Sequence, residues 1–544
     1  MKRIEATRRV LAPLVFLLQF VLLGFVMRLD PDPHHDGILY GAAVSVRNGG
    51  FPNRDAFAQY GPLVPELQGL WLRFFGPSLL GIRIQALLIF MLASIAIWHV
   101  SKNFVSDSTA LILSSAWTLT IPSVLPWPTI YTTCLALASM MLLINIKNRK
   151  IQENSYFILI SGGLISIGTF GRIHLIVIFI LVASYFLLSR TLRRQGFFWI
   201  AGFLVMTAAI LIFMFVNHAL SDFISQCITW PFGRYAGPTI NKSYIVGLMW
   251  YPVIAVSFIV LLIILSTRIY RKIPRLISFA VPILVFLFFF GVSRIQRTGY
   301  LSLRNPRVLL IDYGKNMMNS LDYAAAFVMF VTVLLMILRH QKFAPFQKFA
   351  VLYSLGIAFQ LYPLYDVIHL WMISPIFICS LLLVYGDSTS RFSVQTSNFS
   401  ILALGLGCAL VMQVFAFTSI DRVKFSSVSL KGMYAPKDFA VQLDRTLLNL
   451  ERQVPPKSAS FDCLNGLYSG AGGKYLASST QFVNWGPKPD LAKSGKLLFV
   501  CAVPSIDVQG FLASGYQIMF KDPLIFYGDL EPRGYWNILF SRTL

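Results

Sequence analysis

The chain has 544 residues, of which 56% are hydrophobic and only 13% charged, and its net charge is +23. This composition excludes a soluble globular protein and indicates a polytopic membrane protein, because its repeated apolar runs of about 20 residues can each cross a bilayer. Most of the positive charge lies in short loops between apolar runs, so it indicates orientation in the membrane and not nucleic-acid binding.

The first apolar run, 11–29, follows a basic N-terminus and has no small-residue cleavage site, so it predicts an uncleaved span with a cytoplasmic N-terminus. Alternate connections between the later runs are basic, which places those connections in the cytoplasm and the C-terminus outside. Hydropathy predicts about thirteen spans in all: 11–29, 79–99, 108–125, 129–146, 156–173, 174–189, 197–216, 245–266, 276–293, 321–338, 348–363, 369–386 and 399–419.

The predicted outer loop 30–78 concentrates titratable side chains directly after the first span. Segment 37–48 has apolar residues at helical spacing and predicts an amphipathic interfacial helix, with Asp36 at its N-cap or just before it. Singly, each aspartate fits a cap or a solvated loop. Together they favour a general base for a hydroxyl acceptor, with a second carboxylate to orient it. The candidates in this loop are Asp30, Asp32, His34, His35, Asp36 and Asp55.

A divalent metal is an alternative use of the same loop. The Asp30-Pro-Asp32 pair or the two adjacent histidines offer ligands of suitable type, although adjacent histidines are a weak signal. The sequence therefore establishes no cofactor and leaves a divalent metal open.

A second predicted outer loop, 294–315, is unusually basic for its side of the membrane. Such arginines bind either anionic lipid headgroups or the phosphate of a lipid carrier, and bidentate guanidinium contacts suit the phosphate. Arg172 lies at an outer turn between two apolar runs, where it either binds phosphate or extends to the interface. The predicted phosphate contacts are Arg172, Arg294, Arg297, Arg304 and Arg307.

Two further regions carry predictions, one at the start of span 369–386 and one after residue 420. Asp366 and His369 are three residues apart at the outer start of span 369–386, and their spacing favours a shared helix face in the site over a structural ion pair. After residue 420 the composition turns polar, and a helix at 437–452 and a strand at 496–503 predict a small α/β domain, 420–544, beyond a transmembrane domain, 1–419. Cys463 and Cys501 could pair there.

The first outer loop also resembles a known superfamily. Asp36-Gly-x-x-Tyr40, a Gly-rich turn, F-P-x-x-D ending at Asp55, and Gly61-Pro62 before the second span are similar to the GT-C glycosyltransferases. The branch most similar in these motifs contains the protein O-mannosyltransferases and the lipid A aminoarabinose transferase. Gly37 stands where the mannosyltransferases have the second residue of an acidic pair, so the base stays open between Asp36 and Asp55.

The resemblance implies a polytopic α-helical GT-C fold and an inverting reaction. Sugar would pass from a polyprenyl-phosphate donor to a hydroxyl of a glycan, lipid or protein at the outer face of the cytoplasmic membrane. The catalytic carboxylate would lie in the first outer loop. The expected substrate contacts are His34, His35, Tyr40, Tyr60, Asp366 and His369.

Two other classes compete with this interpretation. A lipid-linked saccharide flippase also needs basic residues and many spans, but transporters concentrate polar groups near the bilayer midplane and often contain repeats. An O-antigen-type ligase or polymerase also uses outer-face arginines. The acidic first loop favours the glycosyltransferase.

Overall fold

The computed structural model divides the chain into two compact units. The first contains residues 1–93, 123–234 and 421–544, and the second contains 94–122 and 235–420. The structure describes residues 2–32, 35–104, 106–119, 124–145, 155–229, 231, 344–361, 367–385, 421–453, 459–461, 467, 470–471, 497–502, 508–513, 515–523 and 536–541.

Helices dominate the described residues before 421. In chain order they are α1 (Lys2–Val26), α2 (His35–Arg47), α3 (Leu63–Phe75), α4 (Leu79–Ser101), α5 (Asp107–Leu119), α6 (Pro128–Asn145), α7 (Ser155–Thr169), α8 (Ile176–Leu188), α9 (Arg193–Val216), α10 (Leu220–Ile224), α11 (Pro345–Ala358) and α12 (Val367–Tyr385). A 3-10 turn, Ile173–Leu175, joins α7 to α8, and another, Phe359–Leu361, follows α11. A π-helical turn, Ser225–Thr229, follows α10.

Two of the described helices, α4 and α9, are long and apolar enough to cross a membrane, and several shorter apolar helices accompany them. Each predicted span within the described ranges coincides with a helix. Helix α5 covers the predicted third span as far as Leu119, and residues 120–123 lie outside the described ones. The number of spans stays a prediction, because four of them lie outside the described residues: 245–266, 276–293, 321–338 and 399–419.

Small residues let α7 and α9 pack backbone against backbone. A Cβ added at Gly162 would collide with the carbonyl of Trp199, and one added at Gly202 would collide with the carbonyl of Leu159. Ser161 hydroxyl also accepts a hydrogen bond from Trp199 Nε1 at 3.1 Å. Close approach at glycines, reinforced by buried hydrogen bonds, is typical of helices that pack within a bilayer.

Within the second unit, α5 packs against α12 through stacked indoles. The rings of Trp117 and Trp371 lie 4.2 Å apart and nearly parallel, and Trp117 Nε1 donates to Ser374 Oγ at 2.7 Å. Helix α11 joins α12 through Gln347, whose Nε2 donates to the carbonyl of Leu383 at 3.1 Å. These contacts satisfy polar groups inside an otherwise apolar helix packing.

Helix α2 confirms the predicted helix in the first loop, but its predicted amphipathic, interfacial character is wrong. Every residue from Asp36 to Val46 is buried. The helix packs along α3, where Gly69 lies so close to Val46 that a Cβ would overlap that side chain. Its sequence is mostly apolar or small between Gly37 and Val46, which is consistent with burial on all sides.

Residues after 421 contain strands as well as helices. The predicted helix is present as α13 (Lys437–Gln453), and the predicted strand as β4 (Leu497–Ala502). Strands β1 (Arg422–Lys424) and β2 (Tyr434–Pro436) form an antiparallel pair, and a short helix, α14 (Val508–Ala513), follows β4. With β3 (Ala459–Phe461), β5 (Gln517–Pro523) and β6 (Trp536–Ser541), β4 forms a sheet of order β3-β4-β6-β5, in which only β3 and β4 are parallel. The domain boundary at 420 stays a prediction.

The strand β2 is tied directly to the end of the first helix. Tyr434 N–H donates to the carbonyl of Arg28 and its own carbonyl accepts from Asp30 N–H, both at 2.8 Å. Further along, Leu79 N–H donates to the carbonyl of Ser429 at 2.8 Å. Both ends of loop 30–78 are therefore held by the segment that begins at residue 421.

Candidate functional site

Helix α2 begins with a reciprocal cap that fixes three titratable side chains. Asp32 Oδ1 accepts a hydrogen bond from His35 N–H at 2.9 Å, and the Asp32 carbonyl accepts one from Asp36 N–H at 3.0 Å. Asp36 Oδ2 accepts in return from Asp32 N–H at 2.8 Å. The cap residue is therefore Asp32, and Asp36 lies in the first turn and not at the predicted N-cap.

The carboxylate of Asp36 forms a buried ion pair with Arg83, a residue of α4. Both Asp36 oxygens accept from the guanidinium, and the two side chains are 0% and 2% exposed. Arg83 also donates to the carbonyls of Met27 at 2.9 Å, Leu29 at 2.7 Å and Asp30 at 3.2 Å. One guanidinium thus joins the end of α1, the following turn and the start of α2.

This ion pair has a structural consequence for Asp36. Burial raises the pKa of Asp36, while the charge and hydrogen bonds of Arg83 oppose that rise. Removing either partner would leave the other charge buried without compensation, which costs about 3–5 kcal/mol. The pair therefore holds the loop in place, and the Asp36 carboxylate is closed to solvent.

Asp30 adopts a backbone conformation that L-residues rarely use. Its φ is +48°, in the left-handed region, where a side chain carries a steric cost. Its carboxylate accepts from Arg422 Nη2 at 3.0 Å and Nε at 3.2 Å, a bidentate contact. Arg422 therefore helps to hold the turn between α1 and α2.

A contact series that we call the first-loop cluster runs from Asp32 and His35 through Trp127 and Tyr60 to Arg172 and Thr129. Asp32 Oδ2 lies 2.7 Å from His35 Nδ1, and the two side chains are 37% and 42% exposed. The His35 and Tyr60 rings each meet the Trp127 ring edge-on, with centroids 5.2 and 5.1 Å away. Arg172 lies over the Tyr60 ring at 5.4 Å.

Local sequence explains why these side chains meet. Trp127 directly precedes α6, which begins at Pro128, and Pro is favoured at a first helical position. Arg172 follows α7 in extended conformation, is buried, and donates through Nη1 to Thr129 Oγ1 near the start of α6. The cluster thus collects the ends of α2, α6 and α7.

Gly61 sets the position of Tyr60. Its φ is +113°, and a Cβ there would overlap the carbonyl of Phe170. The same carbonyl accepts from Leu63 N–H at 3.3 Å. Only glycine permits both the backbone conformation and the close approach, which accounts for the Gly-Pro motif seen in the sequence.

Asp55 belongs to a separate turn. Its Oδ2 accepts from Phe51 N–H at 2.7 Å and from Arg54 Nη2 at 2.6 Å, and the side chain is 35% exposed. The turn is anchored by buried Asn53, whose Nδ2 donates to the Ala58 carbonyl and to Gln226 Oε1, both at 3.0 Å. Asp55 therefore caps the turn that begins at Phe51.

The other predicted site residues divide between buried positions and undescribed ones. Tyr40 is fully buried, donates to the Pro77 carbonyl at 2.8 Å, and has a pKa raised by burial. His369 lies in the first turn of α12 in the second unit and is buried. Outside the described residues lie His34, Arg294, Arg297, Arg304, Arg307 and Asp366.

Of the predicted site residues, the structure brings His35, Tyr60 and Arg172 together. Sequence reasoning missed Arg83, Trp127 and the contact of Asp32 with His35. A charged residue in a predicted span, as at Arg83, is a recognised signal of a specific role. The position of Trp127, between two prolines at a helix start, is a weaker signal of a specific role.

Chemically, the first-loop cluster combines three kinds of group. It offers a partly exposed carboxylate–imidazole pair, two aromatic rings and a buried guanidinium. Small-molecule sites are typically lined by aromatic side chains with a few polar groups that fix orientation. The arrangement suits a ligand with a ring and an anionic group.

The metal alternative finds no support among the ranges that the structure describes, where no three His, Cys, Asp or Glu side chains converge to hold an ion. The carboxylates of Asp30 and Asp32 face different partners, Arg422 and His35. A divalent metal stays an untested prediction.

No family model and no curated protein matches the chain. Among solved structures, the chain is similar to the apo oligosaccharyltransferase of Archaeoglobus fulgidus, with a TM-score of 0.45 and 10% identity over 86% of this chain and 64% of that one. It is also similar to ArnT from Cupriavidus metallidurans bound to undecaprenyl phosphate, with a TM-score of 0.43 and 11% identity over 98% of each chain. Archaeal AglB from A. fulgidus, in complex with an inhibitory peptide and a dolichol-phosphate, has a TM-score of 0.43 and 11% identity over 87% of this chain and 64% of that one.

These proteins are GT-C glycosyltransferases, the superfamily that the first-loop motif resembles. The chain spans less than two thirds of the length of the oligosaccharyltransferases. At such identities and TM-scores the likeness assigns no activity.

Proposed function

We propose that the chain is an inverting glycosyltransferase that moves a sugar from a polyprenyl-phosphate donor to a hydroxyl group at the outer face of the cytoplasmic membrane. The observation that carries the proposal is the first-loop cluster. A titratable pair and a buried guanidinium stand at the two ends of a pair of aromatic rings. The loop motif and the apolar helices of the chain support the same proposal.

In this proposal each part of the cluster has a separate task. Tyr60, which is half-buried, provides an apolar surface for the sugar ring, and buried Trp127 supports the Tyr60 ring. Arg172 binds the carrier phosphate, because a guanidinium matches phosphate geometry and keeps its charge when buried. The basic segment 294–307, outside the described residues, is proposed as a further phosphate contact.

The chemistry follows from where charge develops. A phosphate is a good leaving group, so the site requires little acid assistance and much stabilisation of the departing negative charge. The first loop supplies the proton acceptor. Asp36 or Asp55 would fill that role only by separating from Arg83 or Arg54, respectively, which are their present partners.

The acceptor is a hydroxyl of a glycan, lipid or protein, and the residues after 421 are proposed to lie on the same side of the membrane as the first loop. Their contacts with Asp30 and Leu79, at the two ends of the first loop, support this part of the proposal. A lipid flippase remains the competing class. A flippase would move the intact donor across the membrane and would transfer no sugar, so measuring sugar transfer distinguishes the two.

Transfer from undecaprenyl-phosphate monosaccharides tests the proposal. The purified full chain in nanodiscs is supplied with a panel of radiolabelled donors and an envelope lipid and glycan extract, and Arg172→Gln is compared with Arg190→Gln. Arg190 is a matched control because it is exposed and lies just beyond the opposite end of α8. We expect transfer by wild type, about a 100-fold or greater loss in Arg172→Gln, and no loss in Arg190→Gln.

Movement of intact donor across proteoliposomes without sugar transfer would contradict the proposal and favour the flippase. Equal rates in the two arginine variants would remove Arg172 from the phosphate site.

A further inference from the structure

We infer that α3 docks onto the lipid bilayer, lying along the boundary between headgroups and acyl chains in the leaflet where α4 begins. The interfacial helix of the first loop is then α3, whereas the sequence predicted it at 37–48. Docking of α3 does not depend on the proposed sugar transfer, because it concerns how the first loop is held and not the reaction.

The exposed face of α3 is apolar. Leu67, Leu70 and Phe74 are 40%, 50% and 78% exposed. They are three and four residues apart in the chain, so they form one stripe along the helix, which we call the α3 stripe. A helix on the surface of a soluble protein turns polar residues outward, so several large apolar side chains on one exposed face indicate an apolar partner.

The opposite face of α3 is covered by protein. Gly69 packs so closely against α2 that an added Cβ would overlap the Val46 side chain. Gln68 is fully buried and donates through Nε2 to the carbonyl of Pro126 at 2.9 Å. Because these contacts fix the helix from behind, the α3 stripe is turned away from the protein by packing.

The α3 stripe adjoins an apolar face of α4, and this continuity identifies the partner as lipid. Gln85 Nε2 donates to the carbonyl of Leu67 at 3.0 Å. Leu88 and Leu92 follow Gln85 on the same side of α4 and are 38% and 57% exposed. Helix α4 is long and apolar enough to cross a membrane, so its exposed leucines contact acyl chains when it does. One apolar surface thus extends over both helices.

The position of this contact along α4 matches the depth of an interfacial helix. Because α4 has 23 residues and can cover the whole bilayer core, its start at Leu79 lies near the membrane surface. Gln85 is about 9 Å further along the helix axis. Interfacial helices bury their apolar face about 5–10 Å into the boundary between headgroups and acyl chains. With 13 residues, α3 is too short to cross the membrane and lies along its surface.

The edges of the α3 stripe carry side chains suited to headgroups. Exposed Arg73 and partly buried Glu66 lie two turns apart along one edge. On the other edge Trp71 stacks on Phe75, with ring centroids 4.1 Å apart. Trp is enriched at membrane–water interfaces, and arginine extends its charge from apolar surroundings towards the headgroups. A lipid surface gives both edges a suitable neighbour, since its phosphates can pair with Arg73.

Photoactivatable phospholipid tests the docking on the wild-type full chain. The chain is reconstituted in nanodiscs of phosphatidylcholine and phosphatidylglycerol that carry a diazirine on one acyl chain, and mass spectrometry locates the adducts. We expect adducts on α3 around Leu70 and on α4 around Leu92, and none around Val441. Val441 is the matched control because it is 55% exposed and aliphatic but lies on α13, away from the α3 stripe in the sequence.

Aspartate substitutions provide an independent measurement. Leu70→Asp places a charge against acyl chains, whereas Val441→Asp places one in water. We expect Leu70→Asp to unfold at a lower temperature than wild type in nanodiscs and to lose most adducts on α3 while those on α4 persist. Val441→Asp is expected to match wild type in both measurements, as an ordinary surface substitution does.

Adducts on α4 without adducts on α3 would overturn the inference. Protection of α3 only in particles that hold two copies of the chain would also overturn it, because the α3 stripe would then bind a second copy. Equal unfolding temperatures of the two aspartate variants would show that the α3 stripe faces water. None of these results bears on sugar transfer, so the inference and the proposed function fail separately.

Discussion

We expect substitutions in the buried pair of Asp36 and Arg83 to cause large losses in the free energy of unfolding. Arg83→Met removes the counter-charge of Asp36 and three hydrogen bonds to backbone carbonyls, whereas Asp36→Leu removes only the carboxylate. Asp36 and Arg83 are 47 positions apart in the chain, so their contact closes the whole first loop.

The expected magnitudes follow from these contacts. Losing one partner of a buried pair costs about 3–5 kcal/mol, and each carbonyl left unsatisfied adds about 1 kcal/mol or more. Arg83→Met is therefore expected to lose more than Asp36→Leu. The double variant, which leaves no uncompensated buried charge, is expected to lose about 2–3 kcal/mol less than the sum of the two single losses.

Equilibrium unfolding in mixed micelles, followed by tryptophan fluorescence, measures the four members of this cycle. Arg190→Gln again serves as the exposed control. Single losses below about 0.5 kcal/mol, which is the range of ordinary surface substitutions, would refute the reasoning, as would simple additivity of the two.

Three further predictions concern the loop and its neighbours. Gly61→Ala destabilises by at least about 2 kcal/mol and more than Gly49→Ala, because Gly49 also has a positive φ but open space for a Cβ; similar unfolding midpoints would argue against the close approach to Phe170. Arg422→Gln lowers the free energy of unfolding by about 1 kcal/mol. Adding Asp30→Gly to that variant restores most of the lost stability, because glycine carries no steric cost at the positive φ of position 30; no restoration would show that the ion pair does not hold the turn. Burial raises the pKa of Glu66, so the charged carboxylate destabilises the fold at pH 7 and Glu66→Gln has the higher free energy of unfolding there. This difference disappears as pH falls below about 4, where the carboxyl is protonated in both the folded and the unfolded state. A difference that persists in acid would contradict burial as the cause.

Within the described residues, each span predicted from hydropathy coincides with a helix, because apolar composition and run length are local properties of the sequence. The helix at 437–452 and the strand at 496–503 were likewise predictable from periodicity. Helix α2 was predicted as a helix for the same reason. Its full burial was not predictable, because it depends on how α3 and the segments from 421 onward cover it.

The candidate site depends on pairings between distant segments, which no spacing rule predicts. His35 and Trp127 meet from separate loops, as do Tyr60 and Arg172. The sequence drew attention to the acidic first loop and to Arg172, and the role of both in a site stays a prediction. It could not identify the arginine partners of these aspartates, because the partner of Asp30 is Arg422, almost 400 residues away.

The stoichiometry and stereochemistry of a single turnover test the proposed inverting sugar transfer most directly. Wild-type protein is given a donor of known anomeric configuration, the released lipid is quantified by mass spectrometry, and the product is examined by NMR. We expect one polyprenyl phosphate per sugar transferred and an inverted anomeric centre. Release of polyprenyl diphosphate, retention of configuration, or donor movement without bond cleavage would contradict it.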